Sequence, residues 1–158
     1  MHSTQSKGEL TFSSLNQLIE TAKDGQNGFQ AAANDCTDAN LKQILMQFSR
    51  ERGRFAVELQ SFAGKQGQES EETGSLSAAV HRGWINLRSA LSTRDNLAVL
   101  KECERGEDYA VQQYLDALQT SQLGNAAAVV EKQLDQVLKA QQQIRNLRNQ
   151  FKASSTAK

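Results

Sequence analysis

Between Leu97 and Leu118 the chain reads LAVLKECERGEDYAVQQYLDAL, and its apolar residues recur at steps of three and four. That period marks one face of an α-helix. It predicts an inward row of Leu97, Leu100, Glu104, Glu107, Val111, Tyr114 or Leu115, and Leu118. The row is apolar at both ends and carries two carboxylates in its middle. A carboxylate on a buried face needs a partner, because an unpaired charge is strongly disfavoured away from water. Any fold built from this chain has to supply one.

The same period runs through three further stretches, and the chain of 158 residues contains no proline to interrupt them. Gln, Ala, Leu, Glu, Lys and Arg are plentiful, so helix is favoured throughout and a sheet has no source. Aromatic residues make up only 6%, which leaves the packing to Leu, Ala and Val. A first helix is predicted from a hydroxyl cap near Thr11–Ser14 to about Asn34. Its stripe is Leu15, Leu18/Ile19, Ala22, Gln26, Phe29 and Ala33, with Glu20 and Asp24 on the opposite side. Gly25 and Gly28 interrupt it, and two glycines so placed point to close approach by another helix. Asp38 then caps a second helix, whose inward row is Leu41, Leu45 or Ile44, Phe48, Arg52, Phe55, Leu59 and Phe62.

The stretch GKQGQESEETGS, 64–75, has no period and reads as a linker. Ser75 caps a shorter helix, LSAAVHRGWINLRSALS, which packs through Leu76, Val80, Leu87 and Leu91 with Trp84 at the stripe's edge. Ser92 and Asp95 read as a capping box before the third long helix, which runs from about Arg94 to Thr120. A turn at Gly124–Asn125 leads to a fourth, ending near Phe151, with Gln133, Val137, Ala140, Ile144, Leu147 and Phe151 inward and Gln141 at the margin.

Eighteen basic and eighteen acidic residues cancel, which argues against nucleic acid or an anionic membrane as partner. Cys36 and Cys103 form no CxxC pair and read as free thiols in a reducing compartment. No apolar run has the length of a signal peptide or membrane span, so the expected location is the cytoplasm. Residues 1–10 and 153–158 are polar and expected to be flexible, leaving 11–152 as one domain.

Four helices of about 24–28 residues would each be about 36–42 Å long. Two antiparallel hairpins joined by a long crossover holding a fifth, short helix make an all-α, ferritin-like four-helix bundle. The segments SLNQLIETAKDGQNGFQAAA, RERGRFAVELQ, GSLSAAVHRGWINLRSAL and LKECERGEDYAVQQYLDAL resemble a bacterial ferritin-like family of unknown function. The resemblance covers about residues 12–150, and HRGW and ERGED are its most specific parts. It implies the same bundle and brings no activity with it.

In that topology the helix midpoints fall near Gln26, Arg52, Glu107 and Gln141, with Glu104 one turn away and Gln133 further along. Di-iron proteins of ferritin-like fold place metals at this level, held by a Glu from each of two helices and Glu-x-x-His from each of the others. No helix here carries Glu-x-x-His, since the histidines are His2 and His81, and Arg52 is a permanent cation. The expected arrangement is therefore a buried network in which Arg52 pairs with Glu104, Glu107 or both, and the glutamines satisfy the remaining groups. It needs neither metal nor cofactor. The function that follows is non-enzymatic: a structural, stress-associated or protein-interaction role, with a homodimer formed through outward faces such as that of Ile85. The alternative is a metal-binding protein, or a di-iron or di-manganese oxidoreductase, using Glu104 and Glu107. His81 is read as a hydrogen-bonding residue rather than a catalytic one, and Cys103 as an inert buried thiol.

Overall fold

Helix forms along all four long stretches in which the apolar period runs, and it continues past their polar ends. Trp84 and Asn86, expected inside the short helix capped by Ser75, are not helical, and among the described residues that helix is seen only from Leu87 to Ser92. The computed structural model describes residues 7–64, 84, 86–120 and 123–156, and every element among them is helical. α1 spans Lys7–Asp35, α2 Ala39–Ala63, α3 Leu87–Ser92, α4 Asn96–Thr120 and α5 Ala127–Thr156, with a 3₁₀ turn at Gly124–Ala126 leading into α5. α1 thus begins before the expected Thr11–Ser14 cap, and α5 continues beyond Phe151 into the tail expected to be flexible. Polarity puts a residue at the surface but does not stop a helix; a proline or a cap is needed for that.

The expected stop between α1 and α2 is present. Asp38 Oδ1 accepts the Leu41 N–H at 2.8 Å, and Gly64, at φ 68°, ends α2 in a backbone conformation that favours glycine. At the start of α4 the cap differs from the expected Ser92 box. Asp95 Oδ1 accepts the Leu97 N–H at 3.0 Å, while the Ser92 hydroxyl bonds back to the Ser89 carbonyl. Arg94 stands between them at φ 53°, so the chain turns sharply there and only Asp95 is left facing the first amides of α4.

α1 packs on α2 and α4, and α5 packs on α4 and, over a shorter stretch, on α2. The Ser49 hydroxyl bonds to the Gln26 carbonyl, which with the three-residue joint makes α1 and α2 antiparallel. Gln17 bonds to Gln113 and Thr37 to Asn96, so α1 and α4 are antiparallel too. α2 and α4 therefore run in the same direction, so Gly64 at the end of α2 and Asn96 at the start of α4 lie at opposite ends of the helices. Trp84, Asn86 and α3 precede α4 among the described residues. Ser75, Leu76, Val80, His81 and Ile85 lie outside the described residues.

The core falls into two apolar clusters. One gathers Phe29, Leu41, Leu45, Phe48, Trp84, Leu100 and Ile144 among others; the second gathers Leu15, Leu18, Phe55, Leu59, Tyr114, Val130 and Val137 among others. Between them, at one level, lie Gly25, Arg52 and Glu107. Phe62, expected inward, is 41% exposed. Three residues beyond Leu59 a helix has turned only about 300°, so the inward place passes to Ala63, which packs on the second cluster. Asp24, expected outward, is buried, because it shares with Gln17 and Gly28 the flank of α1 that meets α4.

Candidate functional site

At the level that separates the clusters, each helix offers a different residue. α2 sends in Arg52 and α4 sends in Glu107, with side chains 2% and 0% exposed. The contact is bidentate: Nη1 donates to Oε1 at 2.5 Å and Nη2 donates to Oε2 at 2.6 Å. This fork-on-carboxylate geometry is among the strongest side-chain pairings. The guanidinium also lies 5.4 Å from the Phe29 ring centre and 5.6 Å from that of Phe55. Arg52 Nε has no hydrogen-bond partner among the described residues. Burial pushes the Glu107 carboxyl up, against the downward pull of Arg52. Burial works to lower the Arg52 pKa, but the groups around it, Glu107 first among them and then Tyr114 and Glu51, together outweigh it and the net shift is upward.

α1 contributes an absence. A Cβ on Gly25 would lie 3.2 Å from Arg52 Cγ, so glycine leaves room for the arginine stem to pass. Gly28 and Gly106 do the same for Trp84: a Cβ on either would come within 2.5 Å and 2.3 Å of the indole ring. Trp84 is 2% exposed and meets Phe29 edge-on at 5.1 Å. The buried carboxylate of Glu102 accepts the Asn86 N–H at 2.9 Å, pinning the chain just after Trp84 to α4.

The remaining residues of the expected network lie elsewhere. Glu104 does not reach Arg52. A three-residue step turns about 300°, which carries Glu104 about 60° round the helix from Glu107, towards α5. There its carboxylate accepts from Arg145 at 2.9 Å and Arg148 at 2.6 Å. Gln141, from the same side of α5, donates to Asp108 at 2.7 Å. Gln133 forms a separate buried group: it accepts from the Tyr114 hydroxyl at 2.6 Å and donates to Glu58 and to the Phe55 carbonyl. Gln26 sits at the right level but one position past the inward Gly25, and its amide lies against α2 at Gly53.

Glu104 and Glu107 therefore do not converge as metal ligands. Each has both carboxylate oxygens committed to guanidinium groups, and Arg52 fills the space that a second cation would share. Among the described residues no three His, Cys, Asp or Glu side chains gather where they could hold a metal ion, and the donor set does not fit a di-metal centre. Cys36 and Cys103 are both free and buried; burial pushes the Cys103 thiol well up, and the neighbouring Glu107 pushes it further. Sequence reasoning passed over Gly106, Glu102, Arg145 and Arg148. Gly106 carried a signal, since a glycine inside an otherwise strong helix needs a packing reason.

The fold and this centre define an all-helical protein whose long helices close over a buried arginine–glutamate pair. No helix among the described residues is long and apolar enough to cross a membrane. The chain belongs to the family described as Domain of unknown function (DUF2383), which it matches over residues 11–120. That span contains Arg52, Glu107, Trp84 and the glycines that receive it, and ends with α4. No curated protein matches the chain.

Proposed function

We propose that this chain is a ferritin-like four-helix bundle, two antiparallel hairpins joined by a long crossover, in which a buried Arg/Glu pair stands where a di-metal site would be. On this reading it is a non-enzymatic structural or protein-interaction module of the cytoplasm with no resident cofactor. The observation that supports it most is the bidentate Arg52–Glu107 contact between the two apolar clusters. A fixed guanidinium at that position takes both oxygens of the best-placed carboxylate and repels any divalent ion.

Elemental analysis of protein purified without chelator tests the reading. The expected iron and manganese content is far below one ion per chain. About two ions per chain, lost in Glu107→Ala, would overturn it in favour of an oxidoreductase or iron-handling protein using Glu104 and Glu107. Self-association belongs to the same proposal, through an outward helix face. Sedimentation showing only a 17.4 kDa species across the micromolar range would remove it.

A further inference from the structure

The outer surface of α2 carries a concavity of about 850 Å³, flanked by Gln26 of α1 and by Lys132 and Gln136 of α5. Its origin lies in the helical repeat. Arg50, Arg54 and Val57 follow one another at steps of four and three, so they form a single exposed row. Gly53 lies beside that row, and a Cβ there would come 2.8 Å from the Gln26 amide nitrogen. Without one, the amide of Gln26 can lie down against α2 and form part of the floor. Lys132 and Gln136, four residues apart on α5, form the opposite wall.

The chemistry of the lining is one-sided. Arg50, Arg54 and Lys132 make no hydrogen bond or ion pair with any described residue, and neither do the amides of Gln26 and Gln136. The one carboxylate in the lining, Glu58, already accepts from Gln133 at 2.9 Å. Three cations against one carboxylate leave the lining net positive. Glu51, whose carboxylate feels Arg54, lies with Arg50 and Arg54 along a neighbouring depression and offsets part of that charge. Val57, at 68% exposed, is the most exposed large apolar side chain among the described residues, and it lines the concavity together with Phe55. A concavity that combines an exposed apolar side chain with donors that have no partner among the described residues has the make-up of a site for a small amphiphile, and its volume is in the range of about 300–1,000 Å³ common to such sites.

We propose that this concavity binds an organic anion with an apolar body, a carboxylate or sulfonate amphiphile. The head group sits between Arg50 and Arg54, Lys132 faces it from α5, and the apolar body covers Val57. Charge and apolar contact both act, so neither an inorganic anion nor a neutral alcohol suffices. The site lies outside the Arg52–Glu107 centre and does not depend on that centre's being free of metal.

A fluorescence titration of the full chain with 8-anilinonaphthalene-1-sulfonate tests this. The expected result is saturable binding of one probe per chain, displaced by decanoate but not by decanol or inorganic sulfate. Arg50→Glu/Arg54→Glu should weaken binding at least tenfold. Lys101→Glu/Lys152→Glu, the same charge change on α4 and at the end of α5, should leave it unchanged. Both arginines are exposed, and far-UV circular dichroism with a urea midpoint checks that the variants fold. Absence of saturable binding, displacement by decanol as effective as by decanoate, or affinity within twofold in the double arginine variant would each overturn the proposal.

Discussion

Replacing Arg52 by alanine tests the centre of the molecule most severely. The substitution removes both hydrogen bonds to Glu107 and leaves a carboxylate 0% exposed with no cation. It also empties the space between Phe29 and Phe55 that the guanidinium fills. Breaking a buried pair by removing one partner costs about 3–5 kcal/mol, against roughly 0–1 kcal/mol for a surface pair. For a domain stable by about 5–15 kcal/mol that is a large share. With an m-value near 2 kcal/mol/M, a loss of about 4 kcal/mol lowers the urea midpoint by ~2 M. Removing both charges is a different perturbation, since apolar residues can then meet across the gap. Arg52→Met/Glu107→Leu should therefore recover most of the loss. Adding Glu104→Gln should change little, because Glu104 belongs to another cluster. Urea melts of the single and double variants at pH 7 decide the matter. A loss below about 1 kcal/mol for Arg52→Ala, or a double variant no more stable than the single, would refute the reasoning.

Three other outcomes follow from the same geometry. Glu104→Gln should cost no more than about 1 kcal/mol and the loss should shrink in high salt, because Arg145 and Arg148 are 42% and 34% exposed; a salt-independent loss in urea melts would contradict this. Gly106→Ala should destabilise by about 1–3 kcal/mol through overpacking, opposite in sign to the usual gain for glycine to alanine in a helix, and should shift the emission of Trp84, the only tryptophan; a gain in stability would show that the indole is not held there. Stability should fall as pH rises above about 8.5, because burial raises the thiol of Cys103 and the phenol of Tyr114 in the folded state. Both keep their protons after the unfolded chain has begun to lose its own, so the contribution of Cys103 is whole below about 8.5 and that of Tyr114 below about 10, and each declines by up to ~1.4 kcal/mol per pH unit above that point. Cys103→Ala should flatten the first part of that decline in urea melts from pH 8 to 10, and an unchanged slope would refute the assignment.

How much of this could be read from the chain depends on whether a feature is local. The period of α2 places Arg52 between Phe48 and Phe55, and the period of α4 places Glu107 between Leu100 and Tyr114, without reference to any other residue. Asp38 is a cap by its own chemistry. Rotation within a turn is less legible: Gln26 and Glu104 stand at the right height but face α2 and α5, because steps of one and three residues leave a side chain well off the inward line. Least legible is the seat of Trp84. It needs Gly28 and Gly106, 56 residues before and 22 after it, and neither glycine reports which side chain it makes room for. The partners of Glu104 are hidden for the same reason, since Arg145 and Arg148 look like ordinary exposed arginines until α4 and α5 are paired.

The contacts across the middle of the molecule also set how firmly each helix is held. Arg52 and Glu107 fix the height of α2 against α4. Trp84, seated between Gly28 and Gly106, fixes α1 against α4, and Gly25 under the Arg52 stem together with Gln26 against Gly53 fixes α1 against α2. A slip of one turn, about 5.4 Å, in any of these three pairs would bring an apolar ring against a charge or a Cβ into the indole. α5 stands outside this triangle. It is tied by Gln133 to Tyr114 and Glu58 and by half-exposed arginines to Glu104, and its Leu138 is 42% exposed. Losing those ties leaves the Arg52–Glu107 pair intact, so α5 should open by local motion at lower free energy than the other three long helices. Native-state hydrogen exchange should then find the middle amides of α5, near Val137 and Ala140, exchanging faster than those near Arg52 and Glu107. Protection at Ala140 equal to that at Glu107 under the same conditions would mean that α5 opens only with the whole molecule, and that the apolar contacts of Val130, Val137 and Ile144 hold it as firmly as the buried pair holds α2 and α4.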